Sequence, residues 1–487
     1  MKRLFGIVLI LFLSSLMAAC GGGDGSGSSS SPQSSVKAIS AFSLGGISGT
    51  INEANKTILV PIASGADVTA QVATFTSSGA SVRVGAAVQA SGVTANNFTN
   101  QVTYTVTAED GTTANYRVSA HSQSVAYQLN QAHSGQANFA GPVVFPSTPA
   151  WSVSLNGAAS YPLVAGGKVF VITAGLNGGY GTNLYALDKS TGAIAWGPIA
   201  ISGSYFWAGH AYDHGKLFVL NYDGLLKSFD AATGQAGWSA KLPGQYGFSA
   251  PPTAMNGIVY VGGAGSGGTL YAVDEANGNL LWSKPVLNGD ISSPAVSGDG
   301  VFVSYPCQVY KFNPQTGASL WHYNGPCEGG GGKTAVYANG LLYVRDWTDV
   351  TLGLSTFNAA TGAFVGNLTA TTSIPAVTAQ YAFTISSGTL QGVGLASHNV
   401  LWSFAGDGAL VPAPIAINQY VIVGSSSGKV YALDAVTGAQ AWSANVGASI
   451  AGPDEQGVSQ PLTGFGAGEG YLIIPAGKVL TAWNIAP

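Results

Sequence analysis

The residues able to do chemistry are few and scattered. His210 and His214, in the run Trp207-Ala-Gly-His-Ala-Tyr-Asp-His214, stand four apart, a spacing that on a helix would turn both imidazoles toward one metal ion. On a strand His214 instead falls in the turn beyond His210, so no metal is expected there. Asp454-Glu455 and Asp346 are the acidic candidates for a hard cation. They form no compact cluster and read as exposed loop charges. Gly332-Lys333-Thr334 matches the end of a phosphate-binding loop, but Cys327 stands where that motif needs its first Gly and no helical pattern follows, so the stretch reads as a loop. No His-Glu-x-x-His occurs. Cys307 and Cys327 bracket a single hairpin, and in a secreted chain they are either bridged or two free thiols, a structural role in both cases.

Composition narrows the field further. Charged residues make up 8% of 487, with a net charge of -4, against roughly 25% in an average domain. Without clustered cations there is nothing to neutralise phosphates, which excludes nucleic acid as a partner. A hydrophobic share of 46% and an aromatic share of 10% exclude a disordered chain, and 69 Gly with 22 Pro announce many turns.

Met1-Lys2-Arg3 is followed by an apolar run from Leu4 to Leu13, too short to span a bilayer as a helix, and then by Leu16-Met17-Ala18-Ala19-Cys20. This end resembles the lipobox of bacterial lipoproteins. The resemblance implies a signal peptide over 1–19, a lipidated Cys20 that holds the chain to a membrane, and a Gly/Ser tether over 20–35. No Asp follows Cys20, which by similarity to the sorting rule of Gram-negative lipoproteins implies the outer membrane.

Between 36 and 120 short runs alternate polar and apolar residues, as in Val102-Thr-Tyr-Thr-Val-Thr107, which with Asp110-Gly111 predicts a hairpin. The segment resembles the cadherin-like or immunoglobulin-like sandwiches of bacterial surface lipoproteins. Residues 121–149 read as a polar connector. From 150 to 487 one unit recurs about every 42 residues, the length of a four-stranded propeller blade. Its core is an apolar strand, Asp or Asn, a Thr-Gly turn and a strand ending in Trp: Asp188 to Trp196, Asp230 to Trp238, Asp274 to Trp282, Asn313 to Trp321, Asn358 to Val365, a degenerate copy ending at Trp402, and Asp434 to Trp442. An eighth copy, Leu480-Thr-Ala-Trp-Asn484, lacks its Trp strand, whereas Trp151-Ser-Val-Ser-Leu155 is a Trp strand with no turn before it. The two together predict a closed ring of eight blades, with seven blades and a stray hairpin as the alternative.

The Leu-Tyr-Ala-Leu-Asp-x-x-Thr-Gly-x-x-x-Trp unit at 184–196 resembles the tryptophan-docking repeat of pyrroloquinoline quinone (PQQ)-like propellers. The resemblance implies an all-β fold, an eight-bladed PQQ-like propeller preceded by a small immunoglobulin-like β-sandwich. It also assigns blade docking to Trp151, Trp196, Trp238, Trp282, Trp321, Trp402 and Trp442. Two kinds of relative share the repeat: quinoprotein dehydrogenases, and lipoproteins of the outer-membrane assembly machinery that use the ring as a non-catalytic platform. The former carry adjacent cysteines, a Glu/Asn/Asp calcium set and an Asp base. This chain lacks the adjacent cysteines, so PQQ, calcium and catalysis are not expected. A binding or scaffolding role for envelope proteins is expected, with surface glycans as the alternative. Departures from the repeat mark the channel mouth as the contact region: Tyr205, Phe206, Trp207, His210, Lys333, Arg345, Asp346 and Trp347.

Overall fold

The computed structural model describes residues 32–63, 66–176, 179–265, 267–289, 291–325, 332–345 and 353–486. Among them regular structure is strand throughout. Apolar runs such as Leu217-Phe-Val-Leu220 are buried on both faces and form central strands, while runs such as Gln440–Asn445 stay half exposed and form outer ones. Four antiparallel strands make each blade, as in Ala208–Asp213, Lys216–Asn221, Leu225–Asp230 and Ala236–Lys241, and Gln136–Ala137 adds a fifth, parallel strand to the seventh blade. Eight such units follow one another. In the last, Trp151–Ser154 lies beside Val479–Asn484 with Trp151 opposite Ala482. The first strand of the ring thus completes its last blade, and the protein is an eight-bladed propeller with no stray hairpin.

The repeat shows how the blades lock. Asp230 Oδ1 accepts from the Thr233 amide (2.8 Å) and hydroxyl (2.7 Å), and Gly234 closes the turn at φ +75. Trp196 of the preceding blade lies flat on that glycine: a Cβ there would sit 2.7 Å from the indole. Its Nε1 donates to Ala231 O at 3.1 Å. Trp151, Trp238, Trp282, Trp321 and Trp402 repeat both contacts on Gly192, Gly278, Gly317, Gly362 and Gly438. Trp442 has no Thr-Gly turn to meet, and donates instead to Pro146 O while stacking on Phe145 at 5.2 Å. Where Val365 replaces the tryptophan, His398 takes the positive-φ place of the glycine, so both partners of that junction change together.

Residues 39–120 form the sandwich, a four-stranded and a six-stranded sheet closing on Phe42, Val60, Tyr104, Tyr116 and Val118. Asp110-Gly111 makes the expected turn, with Gly111 at φ +81. The stretch 121–149 departs from the expectation of a polar connector, for most of 121–140 is buried. It runs into the ring and meets the inner strand of every blade. Its carbonyls accept from Val164, Tyr212, Val296, Tyr337, Val377, Ala416 and Glu469 amides at 2.7–2.9 Å, and His133 reaches Thr253 of the third blade. The reason is that innermost strands carry unpaired N–H groups on the channel side, and burying them requires acceptors. Asn130, His133 and Ser134 are polar because they satisfy this network: His133 Nδ1 meets Tyr127 O at 2.7 Å and Nε2 meets Pro294 O at 3.0 Å.

Candidate functional site

The other end of the channel is closed by the link between the seventh and eighth blades, 446–465. Leu462 O accepts from Tyr161 N at 2.9 Å and Val458 packs against the cluster around Trp207. Glu455 extends across to the fifth blade, where it forms an ion pair with Arg345 and accepts from Thr334 N at 3.3 Å. Both side chains are below a tenth exposed. Glu455 is therefore not an exposed loop charge: the loop carries it over the axis, and only Asp454 beside it remains outside. Arg345 likewise joins this pair and does not face a surface partner. Lys333 is half-buried nearby, and burial together with the Arg345 charge holds its ammonium below the ordinary lysine range. Ser292 and Ser304 hydroxyls cap Lys333 O in place of any phosphate-loop helix.

The aromatic departures divide. Trp207 is 1% exposed and packs with Phe218, Leu226 and Phe248, so it is blade core and cannot meet a ligand at the mouth. His210 is fully buried too. It stacks on Tyr161 (4.7 Å, 21°) with Nε2 3.4 Å from Phe170 O, and desolvation pushes its pKa down to about 3. A stacked imidazole replaces the proline of other blades as a filler. Tyr205 and Phe206 do reach the surface, where they cluster with Tyr180 and Tyr222: Tyr180 is 5.0 Å from Phe206 and 6.2 Å from Tyr205, and Tyr205 is 4.3 Å from Tyr222. Tyr246, 81% exposed, follows on the next blade, whose Gly247 rests on the Tyr222 ring. Sequence reading missed Tyr180, Tyr222 and Tyr246 because they belong to two hairpin ends and an interblade link that only the packing of consecutive blades brings to one face. Cys20, Cys327, Asp346 and Trp347 lie outside the described residues.

Cys307 is disulfide-bonded. Simple register from the turn puts Tyr323 opposite it, but Tyr323 pairs with Val309, and Cys307 O accepts from Gly325 N at 2.7 Å. Gly424-Ser425-Ser426-Ser427-Gly428 has the Gly-x-Ser-x-Gly spacing of a nucleophile elbow. It joins two strands of one blade, however, and Ser425 and Ser427 donate to Asp407. A further grouping lies where the inner turn of the second blade meets the outer turn of the third, where Asp213, His214 and Glu275 place one ligand atom each within 4.8 Å of one another. Burial and the neighbouring Asp213 carboxylate raise the Glu275 pKa to about 8.

Fold and site together define an eight-bladed tryptophan-docking propeller with a channel filled by its own chain. The chain matches the family model PQQ_2, described as outer membrane protein assembly factor BamB, over 202–333 and 307–461, more than half its length, and belongs to that family. Residues 39–120 match the model described as SGBP, N-terminal. Tetrathionate hydrolase of Acidithiobacillus ferrooxidans is 27% identical over 35% of this chain and 36% of its own. Quinohemoprotein alcohol dehydrogenase ADH-IIG of Pseudomonas putida is 27% identical over 44% and 33%. The chain thus spans about a third of the length of these curated relatives. The crystal structure of BamB from Moraxella catarrhalis superposes with a TM-score of 0.53 at 19% identity, covering 69% of this chain and 99% of that one, a likeness of fold.

Proposed function

We propose that the protein is a non-catalytic binding platform of the bacterial cell envelope, held to the membrane through Cys20, which presents the rim of its propeller to other envelope proteins and works without PQQ or calcium. The observation that carries this reading is the filled channel. Tyr127, His133 and Tyr161 pack together there, and Glu455, a carboxylate that crosses it, is already paired with Arg345. A flat cofactor with its calcium would have to displace this buried network, whose polar atoms are costly to leave unpaired. Membership of the BamB family supports a protein partner and an outer-membrane setting.

A second reading, a surface glycan as the occupant, is favoured by the cluster of Tyr180, Tyr205 and Phe206 and by the match of 39–120 to SGBP, surface glycan-binding, N-terminal. Exposed aromatic faces suit the C–H faces of sugar rings and the apolar anchors of protein interfaces alike. The test is cross-linking of the membrane-held protein followed by mass spectrometry, beside a glycan array. Capture of outer-membrane assembly proteins, lost in Tyr180→Ala/Tyr205→Ala, supports the platform. Glycan retention lost in the same variant replaces it with the second reading, and quinone-dependent alcohol oxidation by purified protein overturns both.

A further inference from the structure

We infer that the junction of the second and third blades is a binding site for one divalent transition-metal cation of the zinc class, held by Asp213, His214 Nδ1 and Glu275. Each blade's inner turn lies against the outer turn of the next blade. At the junction of the eighth and first blades this contact is an ion pair, with Lys189 Nζ 2.9 Å from Glu469 Oε2 and 3.2 Å from Glu469 O. His214 occupies the turn position of Glu469, both at positive φ, and Glu275 occupies the position of Lys189, each following the Asp that ends its strand. The second junction therefore has acid where the first has ammonium, and adds Asp213 where the eighth blade has Gly468. His214 Nδ1 is 3.1 Å from Asp213 Oδ2 and 3.8 Å from Glu275 Oε2.

The nearest ammonium leaves the site unfilled, because Lys216 Nζ is spent on Glu275 O at 3.2 Å, outside the carboxylate. The Glu275 side chain is 6% exposed, and its Oε1 receives no hydrogen bond from the described residues. A buried carboxylate beside a second carboxylate and an imidazole is neutralised by a shared proton or by a cation, and a cation within reach of all three groups displaces that proton. One nitrogen and two oxygens within 4.8 Å suit zinc, with His214, 67% exposed, opening the remaining coordination positions to water. The site lies on the propeller face away from the aromatic cluster, and ties two blades together whatever occupies the other face.

Isothermal titration of chelator-treated protein with zinc chloride tests the assignment. One equivalent should bind. Asp213→Asn, and His214→Asn, which installs the residue that Asn256 and Asn339 already provide at this turn in other blades, should each weaken binding by roughly tenfold or more. The thermal midpoint should rise with zinc in the parent and rise less at the same zinc concentration in both variants. Absence of stoichiometric binding, or binding equal in parent and variants, would overturn it. Circular dichroism of both variants matching the parent separates lost ligation from lost structure.

Discussion

At each docking turn a glycine without a side chain receives an indole face, so the smallest addition there is expected to be costly. Gly278→Ala adds a Cβ 2.5 Å from Trp238 at φ +78, and should destabilise by about 1–3 kcal/mol in urea denaturation. The Arg345–Glu455 pair predicts non-additivity. Arg345→Met leaves a buried carboxylate without its counter-charge and should cost ~3–5 kcal/mol, while adding Glu455→Leu should restore a large part. His210 predicts a pH dependence. Its folded pKa of about 3 lies below the ordinary 6.5, so the unfolded chain binds the proton first as pH falls. Stability present above 6.5 should fall toward pH 5 by up to ~1.4 kcal/mol per pH unit from this group, and His210→Phe should flatten that slope in denaturation series at pH 7, 6 and 5. At this scale legibility followed locality. Six of the seven tryptophans stand next to their own turns and could be read directly, and Trp151 was legible as a strand whose turn is missing. Arg345 and Glu455 are 110 positions apart, and no local pattern announces a pair at that separation.

Among the elements, the strands and turns were legible because each blade repeats one pattern of apolar run, Asx turn and tryptophan. The connector was not. Its serines, glutamines and asparagines read as solvent-facing, yet their backbone is buried because eight inner strands need acceptors and the ring leaves only its axis to supply them. A plug bonded to every blade opens only with the ring itself. Hydrogen exchange should therefore find the Val296, Tyr337, Val377 and Ala416 amides among the slowest in the protein, exchanging through global unfolding. Fast exchange there, with blade interiors still protected, would mean that the connector leaves the channel independently.

For the whole molecule, closure was legible from a missing tryptophan strand at one end and an orphan one at the other, since a ring removes the exposed edges that an open array would keep. The aromatic face was only partly legible: Tyr205 and Phe206 stood out as departures, but their neighbours come from other blades. The central claim is that this face, and not the channel, carries the function. The most direct measurement places a photo-cross-linker at Tyr246 on the face and, separately, at Val436, which is 57% exposed on an outer turn of the seventh blade, in the full-length protein produced in cells. The account predicts one discrete adduct with an outer-membrane assembly protein from position 246 and none from 436. Equal adducts from both positions, or an unlabelled face alongside PQQ bound stoichiometrically by the same protein, would contradict it.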